Sequence, residues 1–284
     1  MGKGSRVFFR SKWLYRLCVS LFVVGFVLLG VNVYGLSQSI RKPDLGSDSQ
    51  LLRFVPDNVW SYEKSIEKIE NLKEKKSYSD LAEKANYIVN KSLVHPKWFR
   101  VDPYEYRQLI PLWENPYLYA IGEFSSLPQF NRYHFADYER SIERGIGICG
   151  DASMVLSSIL DKFGVSNRIV SFKGHVIVEY KDENGRHFLL DPDFGVVIGR
   201  SLEVLVSDPQ KIKNVYYEKG YSEKEVENLV DIYKTPYSIF DDTYHFMTKR
   251  YWFEYATYIF KWLIPVLLVI FGLVGFYFLR GKDS

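Results

Sequence analysis

An α+β fold carried between two membrane-spanning helices is what this sequence predicts, on three observations. Residues 17–36 form a 20-residue apolar run broken only by Ser20 and Asn32, and residues 262–279 form an 18-residue run containing Pro265. Each is long enough to cross roughly 30 Å of hydrocarbon as a helix. Between them an amphipathic helical stretch, residues 149–163, precedes three short strand-like runs, "NRIVSF", "HVIVEY" and "RHFLLD". Helical patterning lies on both sides of that change of period. A helix packed on an antiparallel sheet, with helical flanks, is therefore the expected architecture.

The flanks of the apolar runs orient the chain. Lys3, Arg6, Arg10, Lys12 and Arg16 precede the first run with no acidic residue among them, which places the N-terminus in the cytosol. Trp13, Tyr15 and Tyr34 bracket that run, and Tyr251, Trp252, Tyr255 and Tyr258 crowd the near side of the second, as aromatic belts do at headgroup level. Lys261 would have to snorkel. The expected organisation is a basic cytosolic segment over 1–16, a transmembrane helix over 17–36, and a polar tether over 37–57 with Pro43 and Gly46 as breakers. An extracytosolic domain over 58–250 follows, then a second transmembrane helix over 258–279 and a cytosolic tail over 280–284. A cleaved signal peptide, with Val33 and Gly35 before the cut, is the alternative reading of the first run and exports the domain equally.

Charge and cysteine usage exclude some functions. The whole chain carries +3, yet residues 37–250 hold 29 Lys and Arg against 32 Asp and Glu, a net of −3. The basic character belongs to the membrane flanks, so nothing favours nucleic acid. The exported domain has one cysteine, Cys149. No internal disulfide can form there despite an oxidising compartment, and a lone thiol must be buried or used. No cofactor and no metal ligand set is expected.

Within the domain, residues 58–76 read as a helix with Trp60, Ile66, Ile69 and Leu72 at apolar spacing. Residues 79–94 read as a second, with Ser79 as cap and Leu81, Ala85, Ile88 and Val89 as its stripe, ended by His95-Pro96. Residues 97–140 are dense in aromatics and prolines. They pack around a core, or part of them walls a cleft in front of Cys149. The 149–163 helix carries Ala152, Val155, Leu156, Ile159, Leu160 and Phe163 on one stripe, and Gly164 suits its C′ position. Asn184-Gly185 marks a turn between the last two strands. Beyond Gly195 helical patterns return in "SLEVLVS" and "SEKEVENLVDIY".

Cys149 falls in the first turn of its helix, where unpaired N–H groups and the helix dipole favour an anion, so the thiolate gains from the placement. Gly145, Gly147 and Gly150 leave room for a substrate. A thiolate nucleophile gains from a histidine that returns its proton to the leaving group. If "HVIVEY" pairs with "RHFLLD" through a loop of about five residues, His175 falls opposite Asp191 at the open end, on the same face. The carboxylate would then fix the imidazole tautomer, while His187, near the closed end, has no comparable partner in the next strand. A slip of one residue would put His175 and Asp191 on opposite faces. Asp151 is expected as a helix N-terminal charge and Asp193 as turn chemistry. For an oxyanion the backbone N–H of Cys149 is a natural donor; Gln129, Tyr133 and Trp113 are chemically able to supply a second, and no motif selects among them.

The stretches "GICGDASMVLSSILDKFGVSNRIV", "KGHVIVEY" and "HFLLDPDFG" resemble, in that order, the core of the transglutaminase-like superfamily: a Gly-x-Cys helix start, a Gly-His strand and a strand ending in Asp-Pro. The resemblance covers roughly residues 140–196. It implies a papain-like core with Cys149 as nucleophile, His175 as general base and acid, and Asp191 as the orienting residue. Cys149 and His175 are 26 residues apart, closer than in the large animal enzymes, so substrate specificity does not carry over. No acidic loop matches their calcium sites. The function implied is a membrane-anchored, extracytosolic cysteine enzyme that cleaves or transfers an amide or acyl group through a thioester, as protease, amidase or acyl transferase. Its partners would be the membrane and a peptide, protein or other acyl substrate outside the cytosol, with cell-envelope or surface-polymer material as one such class. The alternative is an interaction or scaffold protein that keeps the fold without catalysis.

Overall fold

A computed structural model describes residues 4–47, 50–75 and 77–280. The first apolar run becomes α1 (Gly4–Gly35). A short strand, β1 (Leu52–Phe54), is followed by α2 (Tyr62–Glu70) and α3 (Tyr78–Ser92). Ser61 and Ser77 start those two helices, their hydroxyls accepting from the N–H groups of Lys64 and Asp80, donors the helix itself leaves unpaired. The second cap is therefore Ser77, two residues earlier than the Ser79 the sequence suggests. β2 (His95–Pro96) pairs with β1, Leu52 facing Pro96.

The stretch that the sequence presents as a polar tether is thus structured at its end. Leu52 is buried with Val94, Trp98 and Ile146, and Ile40 is buried as well. Scattered apolar residues without periodicity still find a hydrophobic cluster to join. α4 (Pro116–Phe124), α5 (Pro128–Asn131) and α6 (Tyr138–Arg144) lead to α7 (Cys149–Lys162). Then come β3 (Asn167–Phe172), β4 (His175–Lys181), β5 (His187–Asp191) and β6 (Val196–Val197). α8 (Leu202–Ser207), α9 (Lys213–Tyr217), α10 (Glu223–Tyr233), β7 (Tyr237–Phe240), α11 (Thr243–Phe246) and α12 (Thr248–Arg280) complete the chain.

These elements gather into two units, one of Met1–Ser39, Leu109–Arg132 and Phe253–Ser284, the other of Ile40–Gln108 and Tyr133–Trp252. In the first, α1 and α12 are both long and apolar enough to cross a membrane. They meet at glycines: a Cβ on Gly25 would sit 2.7 Å from Pro265 O, and one on Gly272 would sit 2.8 Å from Phe22 Cβ. Small residues let helix backbones approach where lipid offers no hydrophobic drive. Lys261 does not snorkel. It is buried, and Nζ donates to Glu114 O at 2.5 Å, because the inserted 109–132 segment offers a carbonyl closer than water. Asn32 Nδ2 donates to the carbonyl of Lys261, and Asn115 caps α4 while donating to Thr257 Oγ1 at 3.1 Å.

In the second unit one antiparallel sheet runs in the order β6-β5-β4-β3-β7. Val178, Tyr180 and Leu190 face α3 and α7, packing with Leu81, Val89, Val155 and Leu156. Val170, Phe172, Ile177 and Leu189 face the opposite side, covered from α8 to α10 by Leu202, Tyr216, Val226 and Tyr233. The result is the mixed helical and antiparallel-sheet architecture expected, with helices on both faces of the sheet.

The β4–β5 hairpin differs from expectation by two residues. Lys181 pairs with His187 and Val178 with Leu190, so Asp191 continues toward Ile177 and is the diagonal neighbour of His175. Asp182 is the reason. Its carboxylate accepts from the N–H groups of Asn184 and Arg186 at 2.9 and 2.8 Å, which organises residues 182–186 as the loop and lets Lys181 stay in the strand. A two-residue shift preserves the face, because side chains alternate with a period of two.

The glycine contact between α1 and α12 is directly testable. Gly25→Leu should destabilise the helix pair by about 1–3 kcal/mol, the usual cost of overpacking, and lower the melting midpoint of the detergent-solubilised protein. Gly30→Leu, where an added Cβ meets nothing within 4 Å, should leave that midpoint unchanged.

Candidate active site

Local backbone chemistry brings three segments to one end of the sheet. A parallel bridge joins Val94 to Ile146, with Val94 N–H donating to Gly145 O at 2.8 Å and Gly147 N–H to Val94 O at 3.1 Å. His95 therefore lies beside the turn that enters α7. Gly147 is required there, since a Cβ would stand 2.7 Å from Asp151 Cβ. Ser153 Oγ donates to Val176 O at 3.0 Å and ties the first turn of α7 to the start of β4. Gly174, at φ +119°, closes the tight turn from β3 and makes His175 the first residue of β4.

His175 and Asp191 are both buried, and His175 Nε2 meets Asp191 Oδ2 at 2.7 Å. A carboxylate only accepts, so Nε2 carries the proton and the other ring nitrogen is left for the thiol. Cys149 Sγ, half-buried, lies within 4.8 Å of a ring nitrogen of His175. Burial by itself would lower the His175 pKa. The charge and hydrogen bond of Asp191, with a further hydrogen bond from Cys149, outweigh it and hold the imidazole well above its ordinary value. Cys149 packs against a buried cluster of Met154, Ile169 and Val176, which Phe246 and Met247 also join.

Asp191 has more partners than the sequence suggests. Oδ2 also accepts from Tyr216 at 2.8 Å and from Tyr233 at 3.4 Å, and Oδ1 accepts from the N–H of Phe194 at 3.2 Å. Burial and the Asp191 charge raise the pKa of both phenols well above the usual tyrosine value, so they remain donors. These two residues carry no motif. Only the helical stripe ending in "LVDIY" hints that Tyr233 points inward.

A second histidine–carboxylate pair stands beside the first. Asp193 Oδ1 meets His95 Nδ1 at 2.7 Å, and a carboxylate oxygen of Asp193 lies within 4.8 Å of both Cys149 Sγ and a His175 nitrogen. Asp193 does lie in the turn after β5, but its side chain is buried against His95. Asp193 and His95 also line a cavity of about 420 Å³ with Arg53, Phe54, Asn90 and Tyr221. A cavity of that size suits a small ligand or one arm of a larger one.

Asp151, two residues past the thiol, acts on the helix and not on the sulfur. Fully buried, it accepts from the N–H of Ile148 at 2.9 Å, from N3 back to the N-cap, and from His134 Nδ1 at 2.9 Å. Burial would raise its pKa, but His134, Arg144 at 4.0 Å and the Ile148 N–H lower it on balance. Behind them His134 stacks on Trp98 at 4.3 Å, and the Arg144 guanidinium lies over the rings of Trp98 and Phe135, at 5.5 and 4.8 Å from their centroids. Trp98 thus supports the wall behind the turn.

Other expectations resolve as follows. His187 meets a carboxylate of the preceding strand, Glu179 at 3.1 Å, which Arg168 and the Leu202 N–H share; β4 and β5 bring both residues to one face. Among the three candidate oxyanion donors, Tyr133 is buried against Phe135, its carbonyl accepting from Arg144 Nη1 at 2.6 Å. Trp113 and Gln129 belong to the other unit. Comparison of the chain with family models, curated proteins and solved structures finds no match.

Two measurements follow from these contacts. Tyr216→Phe removes a hydrogen bond to a buried charged acceptor and should cost about 1.5–3 kcal/mol in chemical denaturation. The Asp151 pKa is lower folded than unfolded, so the stability it supplies is present above its unfolded value of about 3.9 and is lost as pH falls through the folded value. Asp151→Asn should therefore cost about 3–5 kcal/mol of stability at pH 7, as breaking a buried pair does, and flatten the acid side of the stability profile relative to the unsubstituted protein.

Proposed function

We propose that this protein is a membrane-anchored cysteine enzyme of the transglutaminase-like kind, acting on an amide or related acyl group outside the cytosol. The observation that carries the reading is the meeting of Cys149, His175 and Asp191 at one end of the sheet, each from a different segment. The papain-like arrangement implied by the sequence motifs is supported by a helix that begins at the thiol and packs on an antiparallel sheet.

In this reading Cys149 Sγ attacks the carbonyl carbon, while the negative oxygen is received by the N–H of Cys149, a first-turn donor with no intrahelical acceptor. The proton held on His175 passes to the leaving nitrogen as the C–N bond breaks, and a thioester remains. Water or an amine then attacks the thioester carbon, gives its proton to His175 and releases the thiolate. Asp191 holds the imidazole and balances its charge through both halves. Water as acceptor makes the enzyme a protease or amidase, an amine makes it an acyl transferase. The two apolar helices, with the basic N-terminal flank, support a double anchor with both termini in the cytosol and envelope material as the substrate pool.

Alkylation of the thiol tests the chemistry. Iodoacetamide should label Cys149 at pH 7 at least ~10-fold faster than it labels glutathione, and His175→Gln should remove that excess. Labelling no faster than glutathione would favour the scaffold reading instead. Cys149→Ala should abolish the cellular phenotype of the gene while leaving the protein level intact. Accessibility tags at residues 2 and 284 should both be shielded from an impermeant reagent in intact cells; labelling of either would contradict the double anchor.

A further inference from the structure

Acyl chemistry uses the sulfur of Cys149 and the imidazole of His175 but leaves one neighbouring group unexplained. Asp193 is 7% exposed, and its Oδ2 has no hydrogen-bond partner among the described residues. A buried carboxylate oxygen left unpaired is costly. This one belongs to a side chain whose carboxylate approaches both the Cys149 sulfur and a His175 ring nitrogen, within 4.8 Å. A cation shared by the three groups would meet that unpaired oxygen.

Thiolate, imidazole and carboxylate are the three donor types that zinc takes, with bonds of about 2.0–2.3 Å in a tetrahedral arrangement. Donors around such an ion stand roughly 3.3–3.8 Å apart by that geometry. The three donor atoms of Cys149, His175 and Asp193 already lie within 4.8 Å of one another, so small side-chain rotations close the set. Outer contacts are also in place. His175 gives its Nε2 to Asp191 at 2.7 Å, and Asp193 has its Oδ1 held by His95 Nδ1 at 2.7 Å. Zinc-binding histidines and carboxylates are oriented by partners of this kind.

We infer that Cys149, His175 and Asp193 form a three-donor site for one divalent cation of the zinc class, with the fourth position open to water. A bound ion occupies the sulfur lone pair and the ring nitrogen together, so the metal-loaded form is silent toward acyl groups. Binding stands on the donor geometry alone; only the silencing rests on the thiol chemistry proposed above. No spacing motif in the sequence signals such a site, because its donors come from α7, the start of β4 and the turn after β5.

Cobalt(II) reports the site in the purified full-length protein in detergent, in a Cys18→Ser background that leaves Cys149 as the sole thiol. One equivalent should produce a thiolate-to-cobalt charge-transfer band with the visible bands of tetrahedral cobalt, and zinc should displace it. Cys149→Ser should abolish the charge-transfer band, and Asp193→Asn should weaken cobalt binding at least ~10-fold. Asp231→Asn, at an exposed pair with Lys234, should leave it unchanged. His95→Gln keeps all three donors but frees Asp193 Oδ1, and should weaken binding ~10-fold; it decides the matter if Asp193→Asn fails to fold. Absence of the band in the parent protein, or an affinity untouched by both Asp193→Asn and His95→Gln, overturns the site. Zinc should also slow iodoacetamide labelling at least ~10-fold. If the band forms while metal-free Cys149 labels no faster than glutathione, the metal site stands and the acyl reaction falls. Fast labelling with no band means the reverse.

Discussion

Asp191 is a carboxylate shut away from water, and the arrangement around it follows from the need to meet that charge. Its partners are the His175 imidazole on β4, the hydroxyls of Tyr216 on α9 and Tyr233 on α10, and the N–H of Phe194 in its own turn. Each comes from a different element, so satisfying the charge holds those elements in one arrangement. Stripping a partner from a buried ion costs about 3–5 kcal/mol, comparable to much of the stability of a domain. The orientation of His175 toward the thiol is a by-product of this constraint, which fixes the imidazole and holds its pKa above the ordinary value.

The sequence Asp191-Pro192-Asp193 multiplies the effect. Asp191 is the last residue of β5, and Pro192 has no N–H with which to continue the ladder. The chain leaves the sheet there, and Phe194 turns back onto Asp191 Oδ1. Two carboxylates separated by one residue are thereby aimed at different histidines, His175 on the sheet and His95 on the short β2 strand. One sulfur is flanked by two histidine–carboxylate pairs, and the second pair opens onto a cavity that could receive part of a ligand.

A third buried carboxylate secures the thiol end. Asp151 sits at the third position of α7 and binds the N–H of Ile148, while His134, stacked on Trp98, closes over it. The residue serves the turn, so the backbone that carries Cys149 is held by a charge network distinct from the one that holds His175. Ser153 then links the two ends through Val176.

Much of this is legible in the sequence alone. Residue periodicity located the strands of the hairpin and the helix that begins at Cys149, and long apolar runs marked α1 and α12, because these signals are local and each residue's partner in the pattern is a near neighbour in the chain. The pairing of His175 with Asp191 was legible too, although the hairpin register is displaced by two residues; alternation with a period of two kept both side chains on one face. What the sequence could not disclose lay in contacts across long separations. His95 meets Asp193 from 98 residues away, and Tyr216 and Tyr233 reach Asp191 from helices that carry no motif. Lys261 found a carbonyl 147 residues distant where water was expected. Helix, strand and turn are settled by bonding among neighbours. Which donor answers a buried charge depends on which segments the packed core brings within 3 Å, and that is decided only when the whole chain has folded.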